Sequence, residues 1–147
     1  MTVSIMTKED VGSVAALEKE CFASPWTQET LSEETDNPTA VFLAAKQDGK
    51  VIGYIGSNNI LGEVFITNIA VKNEYRRTGV ASLLLDTLIK KCKSEKAVYI
   101  TLEVRKSNFA AIKLYEKYGF SLVGERMNFY SNPDENALLY TLTFDYD

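Results

Sequence analysis

The stretch from Asn68 to Ser82 reads NIAVKNEYRRTGVAS and combines a strand pattern, a basic loop and the start of a helix. Ile69 and Val71 alternate with smaller or polar residues, which is typical of a strand. Two arginines and Gly79 follow in a loop, and an apolar helical pattern begins at Val80. A strand that leads through a short loop into a helix is a building unit of mixed α/β proteins.

The same loop suits an anion. Backbone N–H groups at a helix N-terminus, together with the positive end of the helix dipole, can bind a pyrophosphate. Gly79 and Ala81 leave room for close approach, while Arg76 and Arg77 add fixed positive charge. Neither a Walker sequence nor G-x-G-x-x-G is present. A solvated basic turn before an ordinary helix is the alternative interpretation.

Patterns on either side of this unit predict the other elements. A phase change in the alternation near Asn68 indicates a β-bulge, and Thr7, Thr27 and Asn108 are candidate helix N-caps. Predicted strands cover about 2–6, 40–46, 51–57, 63–72, 97–104, 120–130 and 137–145, and predicted helices about 7–22, 28–35, 79–94 and 108–118. The order β-α-α-β-β-β-α-β-α-β-β predicts an α/β (α+β) fold, a mixed sheet of about seven strands with about four helices, in one domain over 1–147.

In the strand predicted at 97–104, Val98 is expected on an apolar face with Ile100, Leu102 and Val104. Tyr99, Thr101 and Glu103 occupy the opposite face. An acidic residue thus stands on a strand otherwise rich in apolar residues.

Composition excludes several kinds of chemistry. The 147 residues contain no histidine, so catalytic triads, histidine-ligated zinc and an imidazole base are unavailable, and no metal site is expected. Cys21 and Cys92 are too few for a disulfide framework and lie on apolar helical stripes, which favours core packing. No signal peptide or apolar run long enough for a membrane is present, and a net charge of -4 argues against direct nucleic-acid binding. We therefore expect a cytoplasmic protein.

The charges are segregated along the chain. Residues 72–117 hold 11 of the 16 Lys and Arg residues but only 5 of the 20 Asp and Glu residues. The basic segment coincides with the candidate anion site, and the acidic remainder would attract a basic partner.

Several spaced motifs resemble one family. The pattern Arg-x-x-Gly-x-Ala at 76–81, after a strand ending Ile-Ala-Val, resembles the acetyl-CoA signature of the GNAT acetyltransferase superfamily. The segments LEVRKSNFAA (102–111), LY (114–115), YGF (118–120), SPW (24–26) and RMNFY (126–130) are similar to the bacterial ribosomal-protein-alanine N-acetyltransferases of the RimI type. Those enzymes usually have a Tyr pair at Phe129-Tyr130 and Glu-Asp-Ala at Glu135-Asn136-Ala137.

The resemblance implies a set of cofactor-binding positions. Backbone groups of Ile69, Ala70 and Val71 would pair with the pantetheine arm of acetyl-CoA, and an amide at the bulge would polarise the thioester carbonyl. The pyrophosphate would lie against Arg77, Thr78, Gly79, Val80, Ala81 and Ser82, with Arg76 at its margin and Asn108 near the pantetheine end. Core packing of Ile69 and Val71, and helix capping by Asn108, are compatible structural roles.

Two residues are candidate proton carriers. Glu103 is the candidate general base, and its alternative role is an ion pair with Arg105 or a nearby lysine. Tyr115, which by pattern alone is a core residue, takes by resemblance the role of proton donor to the departing thiolate, in preference to Tyr118. Trp26, Phe129 and Tyr130 are the candidate acceptor-binding residues.

The resemblance implies direct transfer of acetyl to the α-amino group of a protein, with a ribosomal protein that begins with alanine as the partner. Transfer to a small-molecule amine or an internal lysine is one alternative. A non-catalytic acyl-CoA-binding module is another, although a sensor needs neither Glu103 nor Tyr115. The sequence does not indicate an oligomeric state.

Overall fold

The helices and strands follow one another along the chain in the order expected from the sequence. The structure is a computed structural model and describes residues 1–146, so Asp147, the last residue of the predicted domain, lies outside the described residues. Within that range the helices are α1 (Val11–Cys21), α2 (Gln28–Asp36), α3 (Val80–Ser94) and α4 (Phe109–Lys117). The strands are β1 (Thr2–Ile5), β2 (Ala40–Gln47), β3 (Lys50–Ile60), β4 (Glu63–Val71), β5 (Tyr99–Arg105), β6 (Ser121–Tyr130) and β7 (Glu135–Thr143). The predicted mixed α/β fold is confirmed.

The sheet has the strand order β1-β2-β3-β4-β5-β7-β6. Neighbouring strands run antiparallel except β4 and β5, which are parallel. Over residues 1–146, the β4–β5 ladder joins only Glu63–Phe65 to Tyr99–Thr101. The two strands then diverge, which leaves the facing edge of β4 without a neighbouring strand.

A β-bulge lies on β4 where the divergence begins. Gly56 of β3 is opposite Asn68, but Ser57 is opposite Ile66, so Thr67 is the extra residue. A Cβ atom at Gly56 would lie 2.7 Å from the Phe42 ring, which explains the glycine beside the bulge. The predicted change of phase near Asn68 is therefore confirmed.

Two hydrophobic cores cover the two faces of the sheet. On one face, α3 and α4 pack on the strands, and buried residues include Ile66, Leu84, Leu88, Ile100 and Tyr115. On the other, α1 and α2 form the second core, which includes Val14, Leu31, Phe42, Tyr54 and Ala70. Because the bulge reverses the alternation, Ile66 and Ala70 of the same strand enter different cores.

The start of α2 agrees with its predicted cap, whereas the start of α1 differs from the prediction. Thr27 caps α2, since its Oγ1 accepts a hydrogen bond from the Thr30 N–H at 3.1 Å. The first helix begins at Val11 rather than at Thr7, because the Thr7 N–H donates to the Asp10 carboxylate at 2.9 Å and forms a turn before the helix. Among residues 1–146 we find no helix of the length and apolarity needed to span a membrane.

The predicted burial of Val98 is wrong. This residue precedes β5 and is 51% exposed. Its N–H donates to the Gly62 carbonyl at 2.7 Å, so it belongs to the turn that leads into the strand. Ile100, Leu102 and Val104 are buried as predicted.

The core makes a stability prediction. We expect Leu84→Ala, at a fully buried site on α3, to lower the free energy of unfolding by about 2–5 kcal/mol because it creates a cavity. Leu61→Ala is the matched control, since Leu61 is 94% exposed, and we expect a change of about 0.5 kcal/mol or less. Urea denaturation monitored by circular dichroism measures both, and equal losses would contradict the assignment of the core.

Candidate active site

A cleft of about 720 Å³ lies where β4 and β5 diverge. Its walls come from α1, the α1–α2 loop, β4, β5, α4 and the β6–β7 turn. Among the predicted site residues it brings together Trp26, Ile69, Glu103, Asn108, Tyr115, Phe129 and Tyr130. Ala70 does not line it, because this residue packs in the core beneath α1 and α2.

Glu103 projects from β5 into this cleft. Its side chain is 17% exposed, and its Oε1 lies 3.7 Å from Nη2 of Arg126. Its Oε2 is buried and has no hydrogen-bond partner among the described residues. A buried carboxylate oxygen without a partner is costly unless a ligand satisfies it.

The alternative ion pair of Glu103 with Arg105 does not form. Arg105 instead forms an ion pair with Glu135 at 3.3 Å and donates to the carbonyls of Ser131 and Pro133 at 2.9 Å. Its guanidinium also lies 4.5 Å from the centroid of the Tyr130 ring. Arg105 thus fixes the β6–β7 turn that borders the cleft, a role that sequence analysis missed because its partners lie 26–30 residues away.

Tyr115 lies on α4 and is only 4% exposed, although it borders the cleft. Burial raises the pKa of its hydroxyl well above the usual value near 10, with the neighbouring Tyr130 as a lesser cause. The hydroxyl therefore keeps its proton at neutral pH and can donate a hydrogen bond. The Tyr118 hydroxyl instead donates to the Ser82 carbonyl at 3.2 Å and ties α4 to α3.

The Arg- and Gly-bearing loop presents backbone N–H groups at the start of α3. Gly79 is the N-cap with a φ of 88°, and no side chain caps the helix there. Arg77 also has a positive φ, of 63°. Turns that contain such residues can direct neighbouring N–H groups to one side, and this arrangement binds anions. The φ of Gly79 explains the glycine, since a Cβ atom there would meet nothing within 4 Å.

Arg76 and Cys21 meet at the edge of the cleft. The Arg76 side chain turns back to donate to the Val71 carbonyl at 3.3 Å and to Cys21 Sγ at 3.5 Å. Cys21 is half-buried in the cleft wall and packs against the core beneath α1, and Cys92 is buried in the other core, so both take part in core packing as predicted. Burial raises the pKa of both thiols, that of Cys92 to about 11, so neither is a thiolate at neutral pH.

The cleft is also bordered by Asn108, Trp26 and the end of β6, whereas Val71 and residues 76–82 are not among the residues that line it. Asn108 caps α4, with its Oδ1 accepting from the Ala111 N–H at 3.2 Å, and it is exposed to the cleft. The rings of Phe129 and Tyr130 pack edge to face at 5.0 Å. Trp26 packs on Phe42 with 5.9 Å between centroids.

The departure from the family pattern at Asn136 has a local explanation. Its side-chain amide donates to Glu125 Oε2 at 2.7 Å, and its Oδ1 accepts from the Asn128 N–H at 2.9 Å. An aspartate in this position would repel Glu125 instead of donating to it.

One polar cluster of the cleft was missed by sequence analysis. Glu18 is fully buried on α1 and accepts hydrogen bonds from Trp26, Tyr54 and Asn68. Its signal in the sequence is its position within the apolar stripe that contains Val14. A carboxylate at a core position of a helix is rare enough to mark a site.

A second cavity of about 500 Å³ lies beside α1 and β2 and is lined by residues such as Glu9, Asp10, Lys46 and Lys72. The Asp10 carboxylate there already pairs with Lys46 at 2.7 Å. The cleft between β4 and β5 is therefore the better candidate for chemistry.

Comparison with known proteins agrees with this geometry. The model of the Acetyltransferase (GNAT) family matches residues 11–120. A Bacillus subtilis (strain 168) protein provisionally named [ribosomal protein bS18]-alanine N-acetyltransferase is 37% identical over 141 residues, which cover 95% of this chain and 93% of that protein. The Escherichia coli (strain K12) [ribosomal protein bS18]-alanine N-acetyltransferase is 32% identical over 143 residues, with 96% of each chain covered.

The structure is also similar to a solved one. The crystal structure of the ribosomal-protein-S18-alanine N-acetyltransferase from Escherichia coli superposes with a TM-score of 0.92 at 30% identity, and 99% of this chain and 95% of that chain are covered. The strand–loop–helix unit at 68–82, the diverging strands and the matched family model lead to one conclusion: the chain belongs to the GNAT family of acetyltransferases.

Proposed function

We propose that the cleft transfers an acetyl group from acetyl-CoA to the α-amino group of a protein, and that its acceptor is an N-terminal alanine of ribosomal protein bS18. The observation that carries the proposal is the buried, unpartnered Oε2 of Glu103 at the divergence of β4 and β5. The names of the similar Bacillus and Escherichia proteins support the choice of acceptor. Since ribosomal proteins are made in the cytoplasm, the proposal implies a cytoplasmic enzyme.

Glu103 would act as the general base. The attacking amine forms a C–N bond to the thioester carbonyl carbon and must lose a proton as it does so. The free Oε2 of Glu103 can accept that proton directly or through one water molecule. Arg126, 3.7 Å from Oε1, leaves that second oxygen available.

Tyr115 would donate to the leaving group, the CoA thiolate. When the C–S bond breaks, the electron pair passes to sulfur, and a protonated hydroxyl can donate to the resulting thiolate. The raised pKa of Tyr115 keeps that hydroxyl protonated. Glu103 thus takes the proton that leaves the amine, the Tyr115 hydroxyl stabilises the thiolate by a hydrogen bond, and the thiolate takes up a proton from Glu103 or from water.

The chain offers backbone groups suited to acetyl-CoA, which supplies the activated acyl group. We assign the pantetheine arm to the free edge of β4 at 69–71, and its far end to Asn108. We assign the pyrophosphate to 77–82, where the N-terminus of α3 is uncapped, with Arg76 at the margin.

An α-amino acceptor fits the chemistry better than a lysine. The pKa of an α-amino group is about 7.7–8.0, against about 10.4 for lysine, so a carboxylate base is sufficient for the former. Outside the basic segment 72–117, the acidic excess of the chain would attract a basic N-terminal peptide.

A pair of peptides tests the acceptor. We expect acetyl-CoA to acetylate a basic peptide that begins with alanine and contains an internal lysine, with the added mass located on the first residue by tandem mass spectrometry. The same peptide with a blocked N-terminus is the control and should remain unmodified. Acetylation of the blocked peptide would contradict the α-amine assignment.

Glu103→Gln tests the base. We expect kcat/KM at pH 7 to fall about 100-fold, because the amide cannot accept the proton, while the affinity for acetyl-CoA changes little. The loss should shrink above pH 9, where most of the acceptor is already neutral. Glu95→Gln, at the exposed C-terminal end of α3, is the control. An unchanged rate for Glu103→Gln at pH 7 would remove Glu103 from the mechanism.

Tyr115→Phe tests the proton donor. We expect kcat to fall about 10-fold or more with the fold intact. Since the pKa of Tyr115 is raised above 10, wild-type Tyr115 stays protonated, and the ratio of the two rates should be constant from pH 7 to 9. Tyr99→Phe is the matched control, because that hydroxyl bonds to Glu63 at the surface. Wild-type turnover by Tyr115→Phe would exclude the role.

A further inference from the structure

Glu18 is a buried carboxylate whose neighbours all donate to it. It is 0% exposed. Its Oε1 accepts from the Trp26 N–H at 2.8 Å, and its Oε2 accepts from the Tyr54 hydroxyl at 2.6 Å and from Asn68 Nδ2 at 3.1 Å. A carboxylate that receives three donors is acting purely as an acceptor.

The stability of the fold alone does not explain why a carboxylate is buried at this position. Among residues 1–146 no lysine or arginine pairs with Glu18 within 4.0 Å, so neutral donors compensate a buried charge. Apolar residues of similar volume often stabilise such positions equally well or better. A residue type that does not favour the stability of the fold is expected at a functional site.

The three donors belong to three different elements packed around Glu18. Trp26 lies on the α1–α2 loop, Tyr54 on β3, and Asn68 at the bulge of β4. Glu18, Trp26 and Asn68 all border the cleft. One carboxylate therefore joins the loop on the acceptor side to the strand on the cofactor side.

The bulge makes the contact with Asn68 possible. The extra residue Thr67 reverses the alternation of β4, so Asn68 faces α1 rather than α3. Its amide donates both to Glu18 and to the Tyr54 hydroxyl, the latter at 3.2 Å. Two hydrogen bonds thus fix the side chain that anchors the bulged backbone.

From these contacts we infer that Glu18 is a positioning residue, which holds the β4 bulge through Asn68 so that a backbone N–H of the bulge meets the thioester carbonyl. The inference rests on the proposed function, because it takes the bulge as the site of carbonyl polarisation. Donors placed where charge develops act only if their position is set in advance. Glu18 acts through Asn68 and does not touch the reacting atoms.

Infrared spectroscopy of bound acetyl-CoA, labelled with ¹³C at the thioester carbonyl, tests this directly. In the wild-type protein we expect the carbonyl band to lie below its frequency in free acetyl-CoA. In Glu18→Gln and in Asn68→Ala the band should return toward the free frequency. In both variants kcat should fall about 10-fold or more, while the Kd for acetyl-CoA stays within about twofold, because the pyrophosphate site at 77–82 is intact.

Asn58→Ala is the matched control. Asn58 lies on β3 outside the cleft, and its Oδ1 accepts from Asn37 Nδ2 at 3.3 Å and from Thr39 Oγ1 at 3.2 Å. We expect this variant to lose thermal stability but to keep the carbonyl band and kcat. If Glu18→Gln fails to fold, Tyr54→Phe replaces it, since it removes one hydrogen bond of Glu18 and keeps the ring.

The outcomes separate this inference from the proposed function. A lowered wild-type band that persists in the folded variants, with kcat unchanged, would overturn the role of Glu18 alone. A wild-type band at the free frequency, together with normal acetylation of the alanine peptide, would also overturn it and leave the proposed function standing. Absence of peptide acetylation by the wild-type protein would instead contradict the proposed function.

Discussion

The parallel pairing of β4 with β5 is short, and the position of the candidate site follows from it. The ladder covers only Glu63–Phe65 and Tyr99–Thr101, and beyond it the strands separate. An unpaired strand edge buried in a protein needs other hydrogen-bond partners. Here that edge lines a cleft, so the same feature that interrupts the sheet provides backbone groups for an extended ligand.

The bulge and the divergence together bring both faces of the sheet to one site. Tyr115 reaches the cleft from the face covered by α3 and α4, whereas Glu18 reaches it from the face covered by α1 and α2. Their environments differ accordingly. Burial keeps Tyr115 protonated, Glu18 accepts three hydrogen bonds, and Glu103 retains an oxygen without a partner among residues 1–146. The three groups are thus suited to a donor, a positioning and an acceptor role.

Local patterns predicted much of this structure because they depend on neighbouring residues. The cap at Thr27, the cap at Asn108 and the bulge near Asn68 each leave a signal within a few residues, and each is found in the structure. The apolar stripe of α3 likewise predicted its core face. The predicted burial of Val98 was wrong because alternation alone does not show at which residue a strand begins.

Long-range polar contacts could not be predicted in the same way. Glu18 and Asn68 are 50 residues apart, and Arg105 reaches carbonyls 26 and 28 residues away. Such pairs are defined by the register of the sheet, which local periodicity does not specify. Glu103 was predicted from its place as an acid on a strand rich in apolar residues, whereas the role of Tyr115 came from family resemblance. The structure adds the oxygen of Glu103 without a partner among residues 1–146 and the burial of Tyr115.

We propose that the divergence of β4 and β5 creates the cofactor site. Two-dimensional ¹⁵N NMR spectra recorded during addition of acetyl-CoA test it most directly. We expect the largest amide shifts at 69–71 and at 79–82, where strand edge and helix terminus present free N–H groups. Largest shifts around Asp10, Lys46 and Lys72 in the second cavity, with 69–71 and 79–82 unchanged, would contradict it.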